Sequence, residues 1–336
     1  MKQIALYISF FLSCSFLSAT TYFVSPHGST AVNGVSWQAP TTLLHALDLA
    51  NSGDEVWVAK GTYLPTYTTD RFASFSVPAG IKVYGGFSGT EQRVADRSGS
   101  EKSTLSGNIG NPDTDSDNAY TVLTLKVGKG EQSLIDGFII TGGTARSFTN
   151  GFAANNAGGG IYIESRTGVL PRHLIVNCNF TDNKGHNGAA VYVSGGSSSF
   201  ENCRFINNHA DFKGGAVYNM GAGSQLNVRF LECHFEDNAA KYGGAMANNG
   251  ENGVAIPLLI GCGFLHNVAK SNGAAVYNMT NETGDCSIIT EACYFDGNAS
   301  ILGDDIATKG DKKSLAQLRT ESNNIGVIIS GGRAKR

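Results

Sequence analysis

One short phrase recurs five times between Cys178 and Ala307, and it limits the fold more than any other feature of the chain. A Cys-x-Phe-x-x-Asn step appears at Cys178, Cys203, Cys233, Cys262 and Cys293, separated by 25, 30, 29 and 31 residues. Each asparagine is followed five or six residues later by a small-residue corner that opens on Gly188, Gly214, Gly243, Gly273 or Gly303. Fixed short steps joined by a stretch of variable length are the mark of a solenoid, in which each repeat is one coil.

The period within the phrase is that of a strand. Residues two apart on a strand share a face, so the cysteine and phenylalanine both point inward. The residue between them is Asn179, Arg204, His234, Gly263 or Tyr294, mostly polar, as an outward position requires. Nothing apolar recurs at helical spacing along the repeat. A second short strand follows the glycines, with Val191, Val217, Met246, Val276 or Ile306 inward. Gly160-Ile161-Tyr162 reads as the same corner one coil earlier. Stacked coils would place like side chains about 4.8 Å apart, in ladders of cysteine and phenylalanine that no single coil could bury. The asparagine is expected at a corner, bonding its neighbours in a ladder and tolerating a left-handed backbone. The fold class is therefore all-β: a single-stranded parallel β-helix.

The rest of the chain fits that frame. Residues 1–19 read as a signal peptide, with Lys2, an apolar run from Ile4 to Leu17, and Leu17-Ser18-Ala19 before the cut. A lipid-modified Cys14 is the alternative, and no later stretch would span a bilayer. Residues 20–60 form an N-terminal cap and first coil. Leu43, Leu44, Leu47 and Ala50 mark an amphipathic helix, capped by Thr41 or Thr42, that closes the open end. Residues 75–140 are irregular coils, 134–307 the regular repeats, and 308–336 a C-terminal cap and basic tail. With 43 glycines, 7 prolines and a formal net charge of −3, the chain is rich in corners and no partner for nucleic acid. The ladder cysteines are expected as buried free thiols rather than bridges.

Phe-x-x-Asn followed by Gly-Gly-Ala-aliphatic resembles the repeat of the chlamydial polymorphic outer membrane proteins and of bacterial secreted β-helix proteins that share it. The opening is similar too, at Tyr22-Phe23-Val24-Ser25, Gly53 to Tyr63, Tyr84-Gly85-Gly86-Phe87-Ser88-Gly89-Thr90-Glu91 and Asp136-Gly137-Phe138. The resemblance implies a right-handed helix of the pectate-lyase-like type, exported to the cell surface or the medium. Chlamydial members are adhesins with a C-terminal barrel, for which this sequence has no counterpart.

Candidate sites follow from spacing. Asp113, Asp115 and Asp117 stand two apart, as carboxylates do in a calcium loop, although Asn118 replaces the sixth-position glycine and Thr124 the final glutamate. Calcium is the ion such a loop would take; no other cofactor is required. Tyr162, Tyr192, Tyr218 and Tyr277 each follow the inward aliphatic, so alternation turns them outward as a stripe that could stack on sugars; the competing reading is a ladder that only shields the sheet. Asp304-Asp305 and Gly185-His186 superficially resemble polygalacturonase fragments, in reversed order. Arg172, Arg204, Lys213, Arg229 and Lys241 fall at different offsets, which disfavours a lyase groove. The expectation is a non-catalytic surface or secreted adhesion module binding cell-surface glycans or proteins, with a polysaccharide lyase or glycoside hydrolase as the alternative.

Overall fold

The computed structural model describes residues 19–100, 102–126, 128, 131–147, 155–164, 172–221 and 225–309. All but the last residue of the signal segment, Cys14 included, and all but the first two residues of the C-terminal cap and tail lie outside them. The chain is a right-handed parallel β-helix. Each regular coil contributes one strand to each of four sheets, of nine, eight, six and eight strands. The coil that begins at Leu174–Val176 continues through Asn179–Thr181 and Lys184–Asn187 to Val191–Ser194. All of these strands pair in parallel with the next coil, with Phe180 opposite Phe205 and Val191 opposite Val217. Ile161 stands opposite Val191, which places Gly160-Ile161-Tyr162 one coil earlier, as the sequence implies.

The repeat phrase builds the interior. Phe180, Phe205, Phe235, Phe264 and Phe295 stack face to face, with ring centroids 4.6–4.8 Å apart. A second file of rings, Phe200 on Phe230 at 5.1 Å, meets the first edge-on. The five cysteines lie in single file, just before their strands, and all are free and buried. Each thiol donates to a carbonyl one coil back, as Cys233 Sγ does to Phe200 O at 3.4 Å. Burial pushes the Cys178 thiol up to about 12, so it stays protonated and inert.

The asparagine ladder is present, with one correction. Asn183, Asn208, Asn238, Asn267 and Asn298 bond coil to coil, but none has a left-handed backbone. The positive φ falls one residue earlier, on Asp182, Asn207, Asp237, His266 and Gly297. That residue turns the corner and faces solvent, which leaves the asparagine free to turn inward. A second ladder, unforeseen in the sequence, runs through Asn219, Asn248 and Asn278 to Thr308. It lies inside the fourth sheet, where the preceding coil has Val193.

The N-terminal helix, Leu43–Leu49, buries Leu43, Ala46 and Leu47 against the first strands and is capped by Thr42, whose Oγ1 accepts from His45 N. The segments that resemble secreted proteins meet on the outer face of the first sheet. Trp57 stacks on Phe87 at 4.8 Å, Phe23 meets Trp37 edge-on, and Trp37 Nε1 donates to Glu91 O. Glu91 in turn accepts from the backbone N–H groups of Ser88, Gly89 and Thr90, tying the glycine turn.

His173 sits in the wall at 1% exposure, with no hydrogen-bond partner on either ring nitrogen. Burial lowers its pKa from 6.5 to about 4. A histidine held neutral by the fold gives stability that is complete above its unfolded pKa and lost as pH falls from there toward 4. The expected loss across that window is about 3 kcal/mol, at 1.36 kcal/mol per unit. Thermal melts of wild type and His173→Phe at pH 7.5 and 4.5 measure it. The variant should lose less on acidification, and equal losses would contradict the assignment.

Candidate functional site

The tyrosine stripe is the first correction. Tyr162, Tyr192, Tyr218 and Tyr277 do point away from the main core, in register along the fourth sheet, and Tyr162 stacks on Tyr192 at 5.0 Å. They are not exposed: all four are buried. Residues of the adjacent third sheet fold over them. Tyr242 stacks on Tyr277 at 5.0 Å and the Lys213 ammonium lies 5.9 Å from the Tyr218 ring, while Asn249 of the fourth sheet itself donates from Nδ2 to the Tyr218 hydroxyl. The rings therefore form the shielding ladder, with no face open to a sugar.

The acidic triplet is the second correction. Asp115 forms an ion pair with Lys184, Asp117 Oδ2 accepts from Asn111 N at 2.8 Å within its own loop, and Asp113 is exposed. No group of three His, Cys, Asp or Glu among the described residues could hold a metal. The triplet does not act as an alternating ligand set, because Asp115 and Asp117 are drawn to different partners and Asp113 faces solvent.

The loop instead forms one wall of an open groove. Its volume is about 920 Å³, and it runs along the corner between the second and third sheets. Arg146, Lys184 and His209 share the lining with Asp113, Asp115 and Asp182. The cations are engaged: Lys184 with Asp115, and Arg146 Nη2 with Asp211 at 3.1 Å. Lys184 and His209 stand opposite each other on adjacent third-sheet strands. Burial, then the Arg146 charge, lowers the pKa of His209, which favours the neutral imidazole at pH 7. The Lys184 hydrogen bond holds the Asp115 carboxyl below its ordinary range, so that pair stays ionised.

A smaller groove of about 500 Å³ follows the corner between the first and second sheets. Here Arg97 is spent on structure. It donates to Gly85 O and Val94 O, pairs with Asp136 at 2.7 Å and lies over the Tyr84 and Phe87 rings. Asp136, Asn177 and Asn202 continue as a corner ladder. The Asp136-Gly137-Phe138 motif thus supplies a structural anion, with Gly137 at φ 83° turning the corner.

Residues 202–220 match the repeat of the Chlamydia polymorphic membrane proteins, a family of the outer membrane surface. No curated protein matches the sequence. Among solved structures the chain is similar to a pectate lyase at 13% identity and TM-score 0.39, over 91% of this chain and 82% of that one. It is also similar to a rhamnogalacturonan lyase at 16% and 0.46, over 84% and 74%, and to an alginate lyase of family PL6 at 12% and 0.37, over 86% and 40%. No helix among the described residues is long and apolar enough to cross a membrane.

Proposed function

We propose that this chain is an exported surface module that binds an uncharged glycan in the larger groove and does no chemistry on it. The supporting observation is the charge balance there, two cations against three carboxylates, with both cations paired. Cleavage of an acidic polysaccharide needs the opposite, a surplus of positive charge to neutralise the substrate carboxylate and a free base beside it. A groove of balanced, fixed donors and acceptors suits a hydroxyl-rich ligand. The surface role is supported by the matched repeat.

The lyase reading keeps one observation in its favour, the neutral, half-buried His209 within the same groove. Both readings meet in one experiment. Affinity electrophoresis through gels of neutral and uronate polysaccharides should retard the wild type in a neutral gel. Lys184→Ala combined with Asn207→Ala, both on the groove lining, should weaken retention at least tenfold, on the order of two lost hydrogen bonds to ligand. Free migration in every gel would overturn binding. Unsaturated products from a uronate, lost in His209→Ala, would establish the lyase instead.

A further inference from the structure

We propose that the neck of the loop 108–118 holds a calcium ion, ligated by side-chain oxygens of Asn108, Asp117 and Asn118. This site does not rest on the glycan reading, although Asn108 and Asn118 also line that groove. The loop is closed by the Ala119 N–H, which donates to Gly107 O at 2.8 Å. The closure sets the loop's first residue beside its last two. Three buried acceptors lie on those residues with no hydrogen-bond donor: Asn108 Oδ1, Asp117 Oδ1 and Asn118 Oδ1.

The other atoms of these side chains are fixed. Asn118 Nδ2 donates to Gly142 O at 2.8 Å, so the amide cannot be flipped to satisfy its oxygen. Asn118 is 5% exposed, out of reach of bulk water. Asp117 Oδ2 already accepts from Asn111 N, which leaves Oδ1 as the spare oxygen. A Cβ on Gly110 would meet Asp117 Oδ2 at 2.2 Å, so the glycine lets the loop close over the carboxylate.

Buried acceptors in native proteins find partners. Three orphans on the residues of one neck, none of them accepting a hydrogen bond, call for a positive partner. The donor set is all oxygen, with one carboxylate and two amides, which selects a hard cation over a thiophilic metal. Calcium accepts amide and carbonyl oxygens in irregular geometry, whereas magnesium demands a near-octahedral shell and retains its waters. With a single formal charge the site should be weak, on the order of 10⁻⁴–10⁻³ M. This donor set differs from the alternating triplet in the sequence: Asp113 and Asp115 take no part.

Thermal melts in EDTA and in 0.1–10 mM calcium or magnesium chloride, at fixed ionic strength, test the site. Wild type should gain melting temperature saturably with calcium and not with magnesium. Asp117→Asn should abolish the gain, Asp113→Asn should keep it, and Asn108→Asp, which adds a second charge, should tighten the midpoint about tenfold. The proposal fails if wild type shows no calcium response, if Asp117→Asn retains it, or if Asp113→Asn loses it. Should Asp117→Asn not fold, terbium luminescence of the wild type decides: a signal displaced by calcium but not magnesium supports the site, and none refutes it.

Discussion

Phe235→Asp is expected to abolish the cooperative melt of the chain. Phe235 is fully buried and stacked between Phe205 and Phe264, each 4.6 Å away and within 5° of parallel, with Phe230 edge-on at 5.7 Å. Removing a buried phenylalanine alone costs about 3–5 kcal/mol. An unpaired carboxylate in the same place adds several more. The sum approaches the whole stability of a typical domain, about 5–15 kcal/mol. In a stacked array the damage also falls on two interfaces at once, because a middle rung supports both neighbours. Phe295 provides the contrast. It is half-buried at the last described rung and stacks only on Phe264, so Phe295→Asp should lower the melting temperature without abolishing the transition. Circular dichroism melts of the two variants measure this. A cooperative, unshifted melt for Phe235→Asp would show that the ring file does not carry the core.

The two outcomes differ by position along the stack, and the same distinction explains what the sequence disclosed. Periodic features were legible because identical residues recur at identical steps. The phenylalanine file, the thiol file, the inward aliphatics and the helical cap could all be placed from spacing alone. Alternation also gave the tyrosines their correct direction. It could not give their exposure, since that depends on Tyr242 and Lys213 of a different sheet, brought alongside by register shifts at Gly185/Asn187 and Ala240/Tyr242. The groove was hidden for a related reason. Asp115 and Lys184 are 69 residues apart in the chain, and the loop that carries the aspartate belongs to an irregular coil with no repeat to fix its place. The aspartate triplet looked like a ligand set because spacing was the only information; partners outside the triplet decide where the Asp115 and Asp117 carboxylates point. The second asparagine ladder had left a trace, the Tyr-Asn-Met at both 218–220 and 277–279, whose asparagines occupy an inward position.

The asparagine ladder carries the second large effect. Asn238 is fully buried, and its Nδ2 donates to Phe205 O at 2.8 Å and Asn267 Oδ1 at 3.0 Å. Its Oδ1 accepts from both the backbone N–H and the Nδ2 of Asn208, at 3.0 Å each. Asn238→Ala removes all four bonds at once. The Asn208 N–H then has no acceptor and the Phe205 carbonyl loses its amide donor, inside a wall that water does not reach. Leaving a buried polar group unsatisfied costs about 1–3 kcal/mol, so two such groups and a small void amount to about 3–5 kcal/mol. Aspartate is no remedy: its carboxylate could still accept from Asn208, but it cannot donate to Phe205 O or Asn267 Oδ1 and would set oxygen against oxygen. Asn238→Asp should therefore be at least as damaging as alanine at neutral pH. Asn298, half-buried on the last described rung, donates to Phe264 O, accepts from Asn267 and hydrogen-bonds the Asp305 carboxyl, but water can reach its side chain, so its alanine variant should lose less. Denaturant midpoints for the three variants at constant m-value give the comparison. Equal costs at Asn238 and Asn298 would mean that the ladder stabilises each corner separately and does not couple one coil to the next.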